Sequence, residues 1–173
     1  MPNKASLRGT AIIQNSLWVT GSSNSVFVSQ DSGEIWQRDS VPLYQDTQTS
    51  AGYSVALNHL EQAFVIGGDY LQRHRAYANM VRLNDELCEP INTGSIGLRT
   101  AISCQDKICL TTGKTSTDIS FDAGNTWQVL INKQAEGLTQ GFYSLASDDY
   151  LFIATGAEGK VGVLSFKEKI THH

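Results

Sequence analysis

Apolar and polar residues alternate along this chain in short runs, and the runs repeat. Four segments share one pattern: an apolar strand, a short polar turn, then a second apolar strand that ends in glycine. They span Leu7 to Gly21, Tyr53 to Gly67, Leu98 to Gly113 and Phe142 to Gly156. The closing glycines lie 46, 46 and 43 residues apart, the period of a four-stranded propeller blade. The segment starts agree as well: Leu7-Arg8-Gly9-Thr10-Ala11-Ile12 parallels Leu98-Arg99-Thr100-Ala101-Ile102. After each glycine a polar loop leads to a further strand, such as Ser25-Val26-Phe27-Val28-Ser29 or Lys160-Val161-Gly162-Val163-Leu164. Period-two alternation and β-branched residues predict strands. No window sustains a helical period, and residues 71–83 read as a long loop running into a strand. The pattern predicts one all-β domain over residues 1–173, a β-propeller of about four blades of four-stranded antiparallel sheets. Its blades fall near 5–41, 52–92, 97–132 and 141–166, and it is either complete or half of a larger ring.

Two copies of one motif stand 91 residues apart, two blade periods. The first runs from Ser29 through Asp31 and Gly33 to Trp36, the second from Ser120 through Asp122 and Gly124 to Trp127. Both read S-x-D-x-G-x-x-W. The spacing suits a hairpin between third and fourth strands. The Asp carboxylate accepts hydrogen bonds from turn N–H groups, the Gly permits positive φ, and the Trp packs its ring under the turn. In the second blade the slot is degenerate, with only Asp85 in place. The fourth blade stops at Phe166, after its third strand.

These motifs resemble the Asp-box, or BNR-repeat, propellers, a superfamily that includes sialidases and photosystem II assembly-factor-like proteins. The nearer likeness is to the C-terminal half of the bacterial assembly-factor-like or "oxidoreductase-like" seven-bladed propellers. It is carried by Gly67-Gly68-Asp69-Tyr70, Asp118-Ile119-Ser120 before the second motif, and Gly141-Phe142-Tyr143 with Gly156. The resemblance implies a structural role for the Asp-box, away from the ligand face. Sialidases use three arginines with a Tyr–Glu nucleophile pair and an acid. Here two arginines, Arg8 and Arg99, are in phase, and no Tyr–Glu pair accompanies them.

Propeller ligands bind on loops at the rim of the central channel. Arg8 and Arg99 begin equivalent first strands and could clamp a carboxylate or small anion. The second-blade loop adds Asp69, Tyr70, Arg73, His74 and Arg75, and other rim loops add Lys114, Asp118, Glu158 and Lys160. No His, Cys or carboxylate cluster has zinc spacing, and neither a phosphate-cradling loop nor a nucleophile elbow is present. No cofactor, metal or catalytic constellation is expected. Two readings of function remain: a non-catalytic protein-interaction or assembly module, and a glycan-binding or sialidase-derived protein.

Charge narrows the partners. With 13 Lys and Arg against 17 Asp and Glu, the net charge is -4, without the basic footprint of nucleic-acid binding. No apolar run approaches the roughly 20 residues of a membrane helix, and the first residues carry no apolar signal region. The expectation is a cytoplasmic chain, or an exported one if a leader precedes it. Among the three cysteines, Cys104 and Cys109 flank Gln105-Asp106-Lys107-Ile108. A two-residue turn at Asp106-Lys107 would set them opposite each other, within disulfide range. Cys88 is left over. Finally, an arc of blades exposes apolar faces at both ends. The chain is therefore expected to close as a small four-bladed ring or to pair with another copy into a two-fold ring of about eight blades.

Overall fold

The computed structural model describes residues 6–13, 15–22, 25–40, 50–69, 79–83, 88–95, 97–114, 116–132 and 141–166. They form a four-bladed, all-β propeller. The first sheet contains β1 (Leu7–Ile13), β2 (Ser16–Gly21), β3 (Ser25–Ser29) and β4 (Gln37–Ser40). The second contains β5 (Ser50–Leu57), β6 (Ala63–Asp69), β7 (Met80–Leu83) and β8 (Cys88–Ile91). The third contains β9 (Arg99–Gln105), β10 (Ile108–Gly113), β11 (Ser116–Ser120) and β12 (Gln128–Asn132). The fourth contains β13 (Phe142–Ser147), β14 (Leu151–Gly156) and β15 (Val161–Ser165), with a single 3-10 turn at Ala157–Gly159. Within each sheet the strands pair in sequence order and antiparallel, so each blade is an up-and-down meander.

The glycine that closes each second strand has a shared cause. A Cβ on Gly21 would stand 2.6 Å from the carbonyl oxygen of Ser6. On Gly67, Gly113 and Gly156 it would collide with the carbonyls of Ala51, Leu98 and Gly141. There the entering backbone crosses the end of the second strand, beside a register shift between the first two strands of each blade. Only glycine admits that approach, which explains the period of the glycines in the sequence.

Three apolar cores join the four blades. Val26, Trp18 and Val28 of the first blade meet Val55, Val65 and Val81 of the second. Phe64, Ile66 and Met80 of the second meet Ile102 and Cys104 of the third. Leu110 and Ile119 of the third meet Leu145, Phe152 and Leu164 of the fourth. The second strands record this arrangement. Every residue of β6 is buried, because a blade covers each of its faces. Along β14 buried and exposed residues alternate, because only one face is covered.

Candidate functional site

Both S-x-D-x-G-x-x-W segments fold into third-to-fourth-strand turns held by their own side chains. In the first, the Ser29 hydroxyl donates to Asp31 Oδ1 at 2.7 Å and accepts the Gly33 N–H at 2.9 Å. The same carboxylate accepts the Ile35 N–H at 2.9 Å, and the Trp36 indole donates to the Gly33 carbonyl at 2.9 Å. In the second, Ser120 bonds to Asp122 and to Gly124 at 2.8 Å each. Asp122 accepts the Thr126 N–H at 2.8 Å and its hydroxyl at 2.6 Å, and Trp127 donates to the Gly124 carbonyl at 3.0 Å. The N–H of Ile35 and the Ser29 hydroxyl hold the Asp31 carboxyl below its ordinary pKa. Burial pushes Asp122 up, but the Thr126 and Ser120 donors outweigh it, and the net direction is again down. These carboxylates are committed to turn geometry. Trp36 and Trp127 are half-buried beneath the turns.

The second turn is also an inter-blade joint. Asn58, in the β5–β6 turn, donates to the Ala123 carbonyl at 2.8 Å, and Arg82 of β7 donates to the Gly124 carbonyl at 3.1 Å. Gly124 has φ +86, and a Cβ there would stand 2.6 Å from Phe64 Cζ. Gly33 has φ +97 but would meet nothing closer than 3.6 Å. Both Ala substitutions force an L-residue into the left-handed region, at about 1–2 kcal/mol. Gly124→Ala adds a clash with a buried ring. Chemical denaturation should therefore show Gly124→Ala to be clearly more destabilising than Gly33→Ala. Equal losses would mean that the Phe64 contact does not hold the turn.

Arg8 and Arg99 occupy different settings. Arg8, on exposed β1, lays its guanidinium 4.8 Å from the centre of the Tyr53 ring. Arg99 starts β9, two blades on, with 1% of its surface exposed. Its guanidinium donates to Asp118 Oδ2 at 3.2 Å, to Ser116 Oγ at 2.7 Å and to the Gly97 carbonyl at 3.4 Å. Asp118, fully buried on β11, also accepts the Thr93 hydroxyl at 2.7 Å, the Ser95 N–H at 3.1 Å and the Ser95 hydroxyl. Asn79 completes the knot. It donates to the Ser95 and Gly97 carbonyls at 2.9 and 3.1 Å and accepts the Thr93 N–H at 3.1 Å. The network fixes the segment that carries the chain from blade two into blade three. Asn79, Thr93 and Ser95 give no sequence signal beyond being small and polar, and Asp118 reads from the sequence as a loop residue.

Of the second-blade loop, Asp69 ends β6 and is fully buried; Tyr70, Arg73, His74 and Arg75 lie outside the described residues, as does Asp85. Lys114 is half-buried just after β10. Glu158 sits in the 3-10 turn at φ 56, and the Lys160 ammonium stands 5.7 Å from the Phe142 ring centre. Cys104 and Cys109 face each other across β9 and β10 with their Cα atoms 4.1 Å apart and are joined by a disulfide. Cys88 opens β8. Among the described residues no group of three or more His, Cys, Asp or Glu could hold a metal ion. No helix there is long and apolar enough to cross a membrane.

Two surface depressions lie on the first blade. One is lined by Thr10, Ala11, Ile12, Leu17, Val19 and Trp36 among others. A second, reaching toward the first turn, adds Asn15, Gln30 and Ser32. Both are open and carry no titratable side chain. They belong to a sheet face, not to an enclosed site.

The class these features define is the β-propeller, and comparison with solved structures agrees. The computationally designed Ika4 protein superposes with a TM-score of 0.64 at 12% identity, over 95% of this chain and 94% of that one. YCF48 from Cyanidioschyzon merolae gives 0.62 at 16% identity, over 98% of this chain and 59% of YCF48. The extracellular domain of the BT4673 one component system from B. thetaiotaomicron gives 0.66 at 14% identity, over 99% of this chain and 22% of that one. The chain thus spans about three-fifths of YCF48 and about a fifth of the BT4673 domain. At these identities the likeness is one of fold. No family model matches the chain, and no curated protein does.

Proposed function

We propose that this chain is a non-catalytic propeller module of the Asp-box type that works by packing another protein against its terminal blades. One observation carries the reading. The first and last blades each turn a largely apolar sheet face to solvent, uncharged on its inner three strands, with Ile12 78% and Val163 64% exposed. Patches of that kind on a folded domain mark surfaces meant for a partner. The polar chemistry points the same way. Arg99 and Asp118 serve the joint between blades two and three, and Asp31 and Asp122 serve their turns. The two motif turns support placing the chain among Asp-box propellers. The fold likeness to YCF48, a photosystem II assembly-factor propeller, is in keeping with an assembly role.

Cross-linking mass spectrometry in extract of the native host tests the reading. Partner cross-links are expected on blades one and four of the wild type, to be lost in a Val163→Lys variant and kept in Arg8→Ala. Cross-links that survive Val163→Lys but vanish in Arg8→Ala, or turnover of a fluorogenic sialoside, would overturn it in favour of a rim site for a glycan or anion.

A further inference from the structure

Each inter-blade junction in this chain is the same contact made again. The back of one sheet, the face on which Trp18, Phe64 and Leu110 occupy equivalent places on the second strand, packs on the front of the next. Register extends the series to the fourth blade. Ile153 pairs with Ala146 and Val163, as Leu110 pairs with Ser103 and Ile119. Leu110 is buried under the next blade, whereas Ile153 is 41% exposed and Val163 64%. The opposite half of the contact is bare on the first blade. There Thr10–Val19–Phe27 and Ile12–Leu17 form the rows that Val55–Val65–Val81 and Leu57–Ala63–Leu83 form on the second. On the second blade those rows are packed against Trp18 and Val28. Neither bare face carries a charge on its inner three strands; Arg38, opposite Phe27 on β4, reaches in from the outer margin, its guanidinium 6.0 Å from the Phe27 ring centre and donating to Ser25 at 2.8 Å.

The chain therefore displays both halves of a contact that it makes three times internally. We infer that the occupant of these faces is a second copy of the chain, joined head to tail, with blade four of each copy on blade one of the other. This rests on the interaction-module reading above and names its partner. Size supports closure through both junctions at once. Strands of about six residues in sheets three to four strands wide give a face of roughly 300–400 Å². One such face falls short of the roughly 800 Å² per partner of a stable interface, and two approach it. A head-to-tail contact that closes after two copies gives a discrete dimer and leaves no bare face to propagate a filament.

Sedimentation velocity on the 173-residue chain tests this, with Ile12→Lys, Val163→Lys and their equimolar mixture. Both positions are exposed, so the lysines should leave the fold intact, which circular dichroism melts would verify. The wild type should sediment at twice the 18.9 kDa chain mass. Each single variant should be monomeric. The mixture should associate more than either single variant and less than the wild type, because in the mixed pair one junction joins two unaltered faces and the other sets two lysines together. A monomeric wild type across the micromolar range would overturn the inference while leaving a different protein partner on the same faces. A dimer that survives Ile12→Lys, or a mixture that associates no more than either single variant does alone, would overturn the head-to-tail arrangement.

Discussion

Asp118→Ala is expected to lower the unfolding free energy by about 3–5 kcal/mol, the loss that follows when one member of a buried ion pair is removed and the other is stranded. Arg99 would keep its charge at 1% exposure and lose the carboxylate that faces its guanidinium at 3.2 Å. The Thr93 and Ser95 hydroxyls would lose their acceptor too, and unsatisfied buried donors add to the cost. The companion experiment is Arg99→Met with Asp118→Leu. Replacing both charges with apolar groups of similar size leaves no orphan charge, so the double variant should cost less than the sum of the single ones. Urea denaturation of the wild type, Asp118→Ala, Arg99→Met, Asp118→Leu and the double variant measures both quantities. A loss below about 1 kcal/mol for Asp118→Ala would mean that the pair is not the strut between blades two and three that its geometry describes.

Phe64→Ala carries the second large effect, also about 3–5 kcal/mol, the usual cost of emptying a buried aromatic site. Phe64 is fully buried and has duties on several sides. It packs with Ile66, Met80 and Ile102, lies under the Arg82 guanidinium at 5.6 Å, and backs the Gly124 turn. The cavity would open at the junction of blades two and three, which is held on both flanks and cannot collapse freely. Phe64→Leu should cost less, since most of the volume stays. Equal losses for the two variants, read by the same denaturation assay, would show that the ring's shape matters more than its volume.

Much of the architecture was legible before any coordinates, and the reason is periodicity. Four closing glycines at a blade period mark four places where one backbone must cross another, and a crossing of that kind leaves its trace in the residue itself. The two S-x-D-x-G-x-x-W turns were legible because every bond they make is local, within a few residues. The pairing of β9 with β10 was legible too, because the Asp106-Lys107 turn alone sets the register that puts Cys104 opposite Cys109. Long-range pairing was not legible. Arg99 and Arg8 begin equivalent strands, yet one is buried beside an aspartate from β11 and the other lies over Tyr53. The 91-residue repeat sets Phe27 where Asp118 stands, but that difference alone does not say that Asp118 and Arg99 meet across β11 and β9. Asn79, with three buried hydrogen bonds to a segment more than a dozen residues away, is invisible for the same reason.

Hydrogen exchange across a hundredfold dilution series of the 173-residue chain tests the central claim most directly. If the terminal blade faces are where a partner packs, protection should rise with concentration in β1, β2, β14 and β15, the strands that carry the bare rows. Exchange in β6, β7 and β10, already covered within the chain, should not change. Protection that gathers instead on Gly94–Leu98 and Glu158–Lys160, with the terminal faces unchanged, would contradict the account.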